Sequence, residues 1–261
     1  MHGDDNMIRE TYALFAREVK KTYRNYAVVI MMVVQPLMWL IFFGSSLTNL
    51  PPNLLSSLFG TNNYISYLLP GELATGMVFI GMFSSMSMIQ DKRFGFLKRI
   101  LVTKAPKESI FLGKVLGAAS RGLIQIPVMV ITALFFGVVF HTNAIYVFVW
   151  VLSLFLMGIG LASIYSIITM RSRDWQTPGV ISNLINLPLM FSSTALFPIT
   201  LFPKWMQILS SFNPITYAAT IGREALYGGQ INFIYFGYLV FFCALFLSLG
   251  FIASKKWLTA E

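Results

Sequence analysis

Apolar residues run along this chain in long blocks, and the polar residues are gathered into short intervals between them. A bilayer core of about 30 Å requires roughly 20 apolar residues per helix. Six segments meet that requirement: Ala27–Leu47, Leu68–Ile89, Ile110–Phe140, Ile145–Met170, a fifth from Pro178 that loses helical character around Phe197-Pro198, and Phe233–Ala253. The first block is not read as a cleaved leader. It begins after 26 residues and leads into Thr48-Asn49-Leu50-Pro51-Pro52 rather than into a small-residue cleavage site. The pattern predicts an all-α integral membrane protein of six transmembrane helices, with no internal repeat and no Gly/Ser-rich linker. Residues 27–253 form the transmembrane domain, preceded by a segment over 1–26 and followed by a short tail over 254–261.

Two polar intervals carry patterns of their own. Over residues 7–24, Ile8, Tyr12, Phe15, Val19 and Tyr23 recur at helical spacing on one face, and Arg9, Arg17, Lys20 and Arg24 fall elsewhere. A basic amphipathic helix of this kind lies in the headgroup plane; the competing reading is a solvated basic tail. Over residues 198–230, Pro198, Pro203 and Pro214 interrupt any continuous helix, and Trp205, Ile208, Leu209 and Phe212 form an amphipathic turn or two between the breaks. This is predicted to be a re-entrant or external broken helix between spans five and six.

Composition and charge then fix the solvent and the orientation. Hydrophobic residues are 56% of the chain and charged residues only 11%, against roughly 25% charged in soluble domains, so most of the surface must face lipid. The net charge of +9 is read as topology rather than as a nucleic-acid surface, because cytoplasmic loops concentrate Lys and Arg. Sixteen basic residues fall in 1–26, 92–114, 171–173 and 255–256, and only Lys204 and Arg223 fall opposite, with Arg121 inside the third span. Both termini and the 90–108 loop are therefore placed in the cytoplasm of a cell inner or plasma membrane. That loop mixes Phe94, Phe96, Leu97, Ile100 and Leu101 with its cations. Aromatic and Arg side chains supply much of the energy of protein interfaces, so it reads either as a docking surface or as an interfacial anchor.

Several chemistries find no support. The sequence has no Gly-x-x-x-x-Gly-Lys-[Ser/Thr] phosphate loop. His2, His141 and the single Cys243 stand apart, so no metal-ligand set is expected, and no catalytic residues are assigned. Glu72 and Arg121 are too few and too far apart for the titratable relay of an ion-coupled carrier. The polar candidates for a substrate pathway are Gln35, Gln125, Asn183 and Asn186. The competing role for Asn183 and Asn186, three residues apart, is interhelical hydrogen bonding, worth about 0.6 kcal/mol per pair on average.

Four short motifs in order carry a family resemblance. Tyr67-Leu68-Leu69-Pro70-Gly71 opens the second span, and Asp91-Lys92-Arg93-Phe94-Gly95-Phe96-Leu97-Lys98 closes it. Pro106 and then Leu112-Gly113-Lys114 lead into the third, and Asn213-Pro214-Ile215-Thr216-Tyr217 follows the external break. With the amphipathic N-terminal helix and the spans, the chain resembles, over nearly its whole length, the permease subunit of ABC-2 type ATP-binding-cassette exporters. Arg93 departs from the pattern, since an acidic residue is common there. The resemblance implies a permease that moves an amphipathic substrate (drug, lipid or lipid-linked glycan) out of the cytoplasm, paired with a second copy and powered by a separate ATPase subunit. ATP and Mg belong to that partner, and no cofactor is expected in this chain. It further implies a coupling helix carrying Asp91, Arg93, Phe94, Gly95, Phe96, Leu97 and Arg99, and a gate helix carrying Tyr12, Phe15 and Val19. An ion-coupled secondary transporter without an ATPase, or a non-transporting scaffold, remains as the alternative. A homodimer is expected, and a heterodimer with a sibling permease is not distinguished from it.

Overall fold

The asparagines mark where helices begin. Asn25, Asn63, Asn143, Asn213 and Asn232 each precede a helix and accept a hydrogen bond from a backbone N–H of its first turn, the capping role for which a short amide side chain is suited. The structure is a computed structural model and describes residues 2–47, 50–103, 105–172, 174 and 176–258, the side chains of residues 2–6 and 84 excepted. Lys104 and Arg173, counted above among the cytoplasmic charges, lie outside the described residues, as do residue 1 and residues 259–261 of the tail.

In chain order the helices are α1 (His2–Tyr23), α2 (Tyr26–Ser46), α3 (Pro52–Phe59), α4 (Tyr64–Arg93), α5 (Phe96–Leu101), α6 (Lys107–Gly122), α7 (Gln125–Phe135), α8 (Ala144–Arg171), α9 (Thr177–Phe191), α10 (Lys204–Ser211), α11 (Pro214–Leu226) and α12 (Phe233–Trp257). No strand forms among the described residues; one isolated bridge joins His141 to Tyr227. Among the described residues, five helical stretches are long and apolar enough to cross a membrane: Tyr26–Ser46, Pro52–Arg93, Lys107–Phe135, Ala144–Arg171 and Phe233–Trp257. The fold is thus all-helical, with α4 and α8 at its centre and α6, α11 and α12 packed around them.

Two segments differ from the even spans expected of the sequence. The third span is broken into α6 and α7, joined by tight turns in which Leu123 and Ile124 donate to Ser120 and Arg121. Pro127 is the cause: it has no N–H for the Leu123 carbonyl, and its ring crowds that carbonyl. The segment read as the fifth span is only the 15-residue helix α9, about 22 Å long at 1.5 Å per residue. Beyond Pro188 and the end of α9 at Phe191, residues 193–196 leave the helix yet stay buried.

The core has two parts. One is built on Leu68, Leu69, Leu73 and Met77 of α4 with Trp150, Leu154 and Leu161 of α8 and Ile215, Ala218 and Ala219 of α11. The other, at the α5 end, gathers Leu97, Ile110, Phe111, Val115, Met170 and Leu258. Gly71, beside the helix-internal Pro70, lets α4 approach residue 195 so closely that a Cβ would stand 2.7 Å from the Ala195 Cα. At the far end of α4, Lys92 donates to the carbonyls of Thr169 (3.3 Å), Met170 (3.4 Å) and Ser172 (3.3 Å). It thereby closes the C-terminus of α8 with a cation, where carbonyls and the helix dipole favour one.

Candidate functional site

The junction of α1, α4, α5 and α6 holds the densest chemistry in the molecule. It begins with two glycines. Gly113 and Gly117 lie one turn apart on α6, and a Cβ at either would stand 2.6 Å from the Leu14 Cβ or 2.7 Å from the Glu18 Cβ of α1. Their spacing therefore seats α1 against α6 with almost no gap, the close approach that small residues four apart permit. That approach carries the Glu18 carboxylate into the interior, 1% exposed.

Two carboxylates and four cations meet there. Lys114 of α6 donates to Glu18 Oε1 at 3.1 Å and to Asp91 Oδ2 of α4. Arg17 grips Asp91 with both terminal nitrogens at 3.2 Å, the bidentate fork that suits a carboxylate. Lys21 reaches Asp91 Oδ1 at 3.4 Å and Ser87 at 3.0 Å, and Ser87 donates to Glu18 Oε2 at 3.1 Å. Arg121, two helical turns beyond Lys114, holds the Gly117 carbonyl through Nε at 3.1 Å, and its Nη2 stands 3.6 Å from Glu18 Oε2. That is an ion pair longer than a hydrogen bond. Burial pushes the Glu18 carboxyl up, but Lys114, Arg121 and Lys21 more than reverse this and hold it below the ordinary carboxylate range.

The same Arg17 joins α5 to the cluster. Its guanidinium lies over the Phe96 ring, 3.4 Å from the centroid, a cation–π contact on a partly desolvated face. Gly95 makes this geometry possible. Its φ of +71° turns the chain sharply between α4 and α5, a conformation that costs glycine little. Leu97 then faces inward and is buried, whereas Phe94 (75% exposed) and Val102 (80% exposed) face outward, together with the exposed Lys98 and Arg99. The residues singled out from the sequence thus divide. Asp91, Phe96 and Leu97 fasten the segment to the bundle, Gly95 turns it, and Phe94, Arg93 and Arg99 lie on its exposed side.

On α1, Tyr12 is 69% exposed, and Phe15 and Val19 are half-buried. The four candidate pathway residues are dispersed, and no hydrogen bond joins any two of them. Gln35 is half-buried on α2. Gln125 is buried at the start of α7, where it donates to the Leu73 carbonyl at 3.2 Å. Asn186 is buried and accepts from the Tyr165 hydroxyl, while Asn183 is exposed. The α9 helix therefore separates the two asparagines that their spacing had grouped.

The sequence reading missed the pairing of Glu18, Arg17, Lys21 and Lys114, having counted the cations only as topology. A legible trace exists: Lys114 and Arg121 are seven apart and so share a face of α6 with Gly117. It also counted Arg223 only as a charge on the external side, within the 198–230 segment. The side chain is instead half-buried on α11, donating to the carbonyls of Thr194 (2.6 Å), Ala195 (3.2 Å) and Tyr67 (3.0 Å) and lying 3.6 Å from the Tyr67 ring centroid. Tyr67 and Tyr64 add hydroxyl donors to the Thr194 and Leu196 carbonyls at 3.0 and 2.8 Å. The non-helical backbone of 194–196 is thereby satisfied from within, as it must be where water is scarce.

Comparison with known proteins gives a consistent result. The family described as ABC-2 type transporter matches residues 9–227. The chain is 32% identical over 230 residues to ycf38 of Pyropia yezoensis, named as a transport permease, covering 85% of this chain and 75% of that protein. It is 24% identical over 251 residues to the permease DrrC of Mycobacterium tuberculosis, named for doxorubicin resistance, covering 94% and 88%. It is 22% identical over 201 residues to the daunorubicin resistance permease DrrB1 of Streptomyces coeruleorubidus, covering 77% and 68%.

Proposed function

Because the chain belongs to the ABC-2 type transporter family, a family of multi-pass membrane permeases, we propose that it is the membrane subunit of an ATP-driven exporter. It works as a homodimer with a separate ATPase that supplies the ATP and Mg chemistry, and it moves an amphipathic molecule out of the cytoplasm. The observation that carries this reading is the α5 junction. A short helix shows Phe94, Lys98, Arg99 and Val102 outward and is fastened inward by Phe96 to the ion pairs that hold α1 to α4 and α6, and by Leu97 to the apolar cluster beside them. Force applied to the outer face of α5 reaches α1 through Arg17 and α6 through Lys114. In this reading residues 90–108 are the coupling segment and residues 7–24 the gate helix.

The drug-resistance names of two relatives support an amphipathic cargo. Both termini and α5 lie in the cytoplasm of a cell inner or plasma membrane, in keeping with the positive-inside bias. The sixth crossing is made by α9 together with the buried segment 193–196, and α10 and α11 form the re-entrant element over 198–230. Residues 27–253 are then one transmembrane domain.

Co-expression with a candidate ATPase subunit tests the reading. Phe94→Asp with Val102→Asp changes only outward side chains, so the permease is expected to fold and dimerise normally but to lose the ATPase on purification and to stop transport. Retention of the ATPase with undiminished transport sinks the coupling assignment. Uptake into ATP-free vesicles driven by an ion gradient sinks the exporter assignment.

A further inference from the structure

A groove lies where α1 crosses α6 and α8, on the side of α1 turned away from the ion pairs. It encloses about 420 Å³, within the range of small-molecule sites. Its walls are apolar: Ile8, Tyr12 and Phe15 from α1, Leu112 and Leu116 from α6, and Phe155 from α8. Thr11 and Ser120 are the polar side chains on its lining, and the Thr11 Oγ1 is buried with no hydrogen-bond partner. Ile8 and Tyr12 on its rim are 66% and 69% exposed, so the groove opens onto the apolar stripe that α1 offers to the membrane.

We propose that this groove holds an acyl chain of an anionic phospholipid from the leaflet on which α1 lies. A peptide segment seated there would strand its backbone N–H and C=O groups against hydrocarbon, at a desolvation cost that a saturated chain does not incur. The headgroup preference follows from charge. Arg17 and Lys21, on the inward side of α1, are neutralised by Asp91 and Glu18. Arg9 and Lys20 of the same helix, and Arg24 in the turn just beyond it, are exposed and, among the described residues, make no ion pair with a carboxylate. A surplus of exposed cations at a membrane surface attracts anionic headgroups, and Arg9 follows directly on the rim residue Ile8. The lipid is structural: it fills the space under α1 and holds that helix at a fixed height on the bundle.

The inference rests on the placement of α1 at the membrane surface, but not on what the transporter carries. Lipid retention by the purified full-length chain tests it, with phosphatidylglycerol and phosphatidylcholine supplied in equal amounts and retained molecules counted by native mass spectrometry. The wild type is expected to keep one phosphatidylglycerol per protomer above the phosphatidylcholine background. Leu116→Trp fills the groove and is expected to lose it, while Arg9→Gln keeps a lipid without the preference for phosphatidylglycerol. Equal retention by a folded Leu116→Trp overturns the proposal. So does displacement of the lipid from the wild type by daunorubicin, which makes the groove a cargo site. A second measurement needs no variant: lysophosphatidylglycerols of increasing chain length are expected to raise the wild-type melting temperature progressively, and no dependence on chain length overturns the proposal. Failure of transport coupling leaves these lipid readouts unaltered, so the two readings fail separately.

Discussion

The two ends of the bundle solve the problem of a cation in an apolar surrounding in opposite ways. At the α5 end Lys114 and Arg121 are met by the carboxylates of Glu18 and Asp91, carried in from other helices. At the α11 end Arg223 has, among the described residues, no carboxylate within ion-pair distance and is held by three backbone carbonyls and the face of Tyr67. Carbonyls belong to a backbone that is itself fixed, so the Arg223 arrangement has one geometry. Ion pairs between side chains on separate helices can be exchanged among partners without stranding a charge, and Asp91 already has three. The α11 end is built to stay, whereas the α5 end is built to be rearranged at low cost.

Substitutions can break this contrast, and the largest effect is expected at Lys114. Lys114→Met removes the buried cation that Glu18 and Asp91 share and is expected to destabilise by about 3 kcal/mol, the low end of the cost of breaking a buried pair, because Arg17, Lys21 and Arg121 still face the carboxylates. Thermal unfolding in detergent measures it. Adding Asp91→Asn to the same chain is expected to restore a good part of the loss, because the second change removes one of the two carboxylates that lost Lys114. At the other end Arg223→Met removes three hydrogen bonds, but Thr194 keeps its bond from Tyr67. The expected loss is about 1–3 kcal/mol, with no rescue by any carboxylate substitution. A rescue there would erase the distinction.

Two glycines sharpen it further. Gly71→Ala presses on the backbone of Ala195, which cannot yield, whereas Gly117→Ala presses on the Glu18 side chain of a helix that can move as a body. Overpacking costs about 1–3 kcal/mol, and it is expected to appear as lower global stability for Gly71→Ala. For Gly117→Ala it appears as faster hydrogen exchange confined to α1. The smallest effect is that of pH. The Glu18 carboxyl is held below its ordinary value of 4.5, so its contribution is fully present above that value and is lost as pH falls through the folded value. The melting-temperature difference between wild type and Glu18→Gln is expected to be flat from neutral pH down to that range and then to shrink. Arg223 keeps its charge throughout, so the difference between wild type and Arg223→Met has no such limb.

Much of this fold is legible from the apolar blocks, because a bilayer imposes one length on every crossing and leaves little ambiguity over where α2, α4, α8 and α12 lie. The breaks in helical continuity have particular causes. Counting apolar residues from 110 to 140 ran straight over Pro127, a local feature that outweighs the block average. Pro188 and the Ser192-Ser193-Thr194 run ended α9 early, and Tyr64, Tyr67, Thr216 and Arg223, distant in sequence, make that unwound backbone tolerable. The site was half legible. The outward side of α5 follows from its mixture of aromatic and basic residues, and the turn at Gly95 from its glycine. The ion-pair cluster left only the trace of Lys114 and Arg121 on one face with Gly117, because a cation counts equally towards topology whether it ends in water or against Glu18. Only the seating of α1 on Gly113 and Gly117 decides which.

The segment α6 also bears on how the chain is made. With Lys114 and Arg121 buried within its 16 residues, it is a poor candidate to enter a bilayer unaided, since each charge at depth costs about 2.5–3.5 kcal/mol on insertion scales. Synthesis proceeds from the N-terminus, and both Glu18 and Asp91 emerge before either Lys114 or Arg121. The counter-charges therefore wait at the membrane when α6 arrives, and the order of residues along the gene is itself an instruction for assembly.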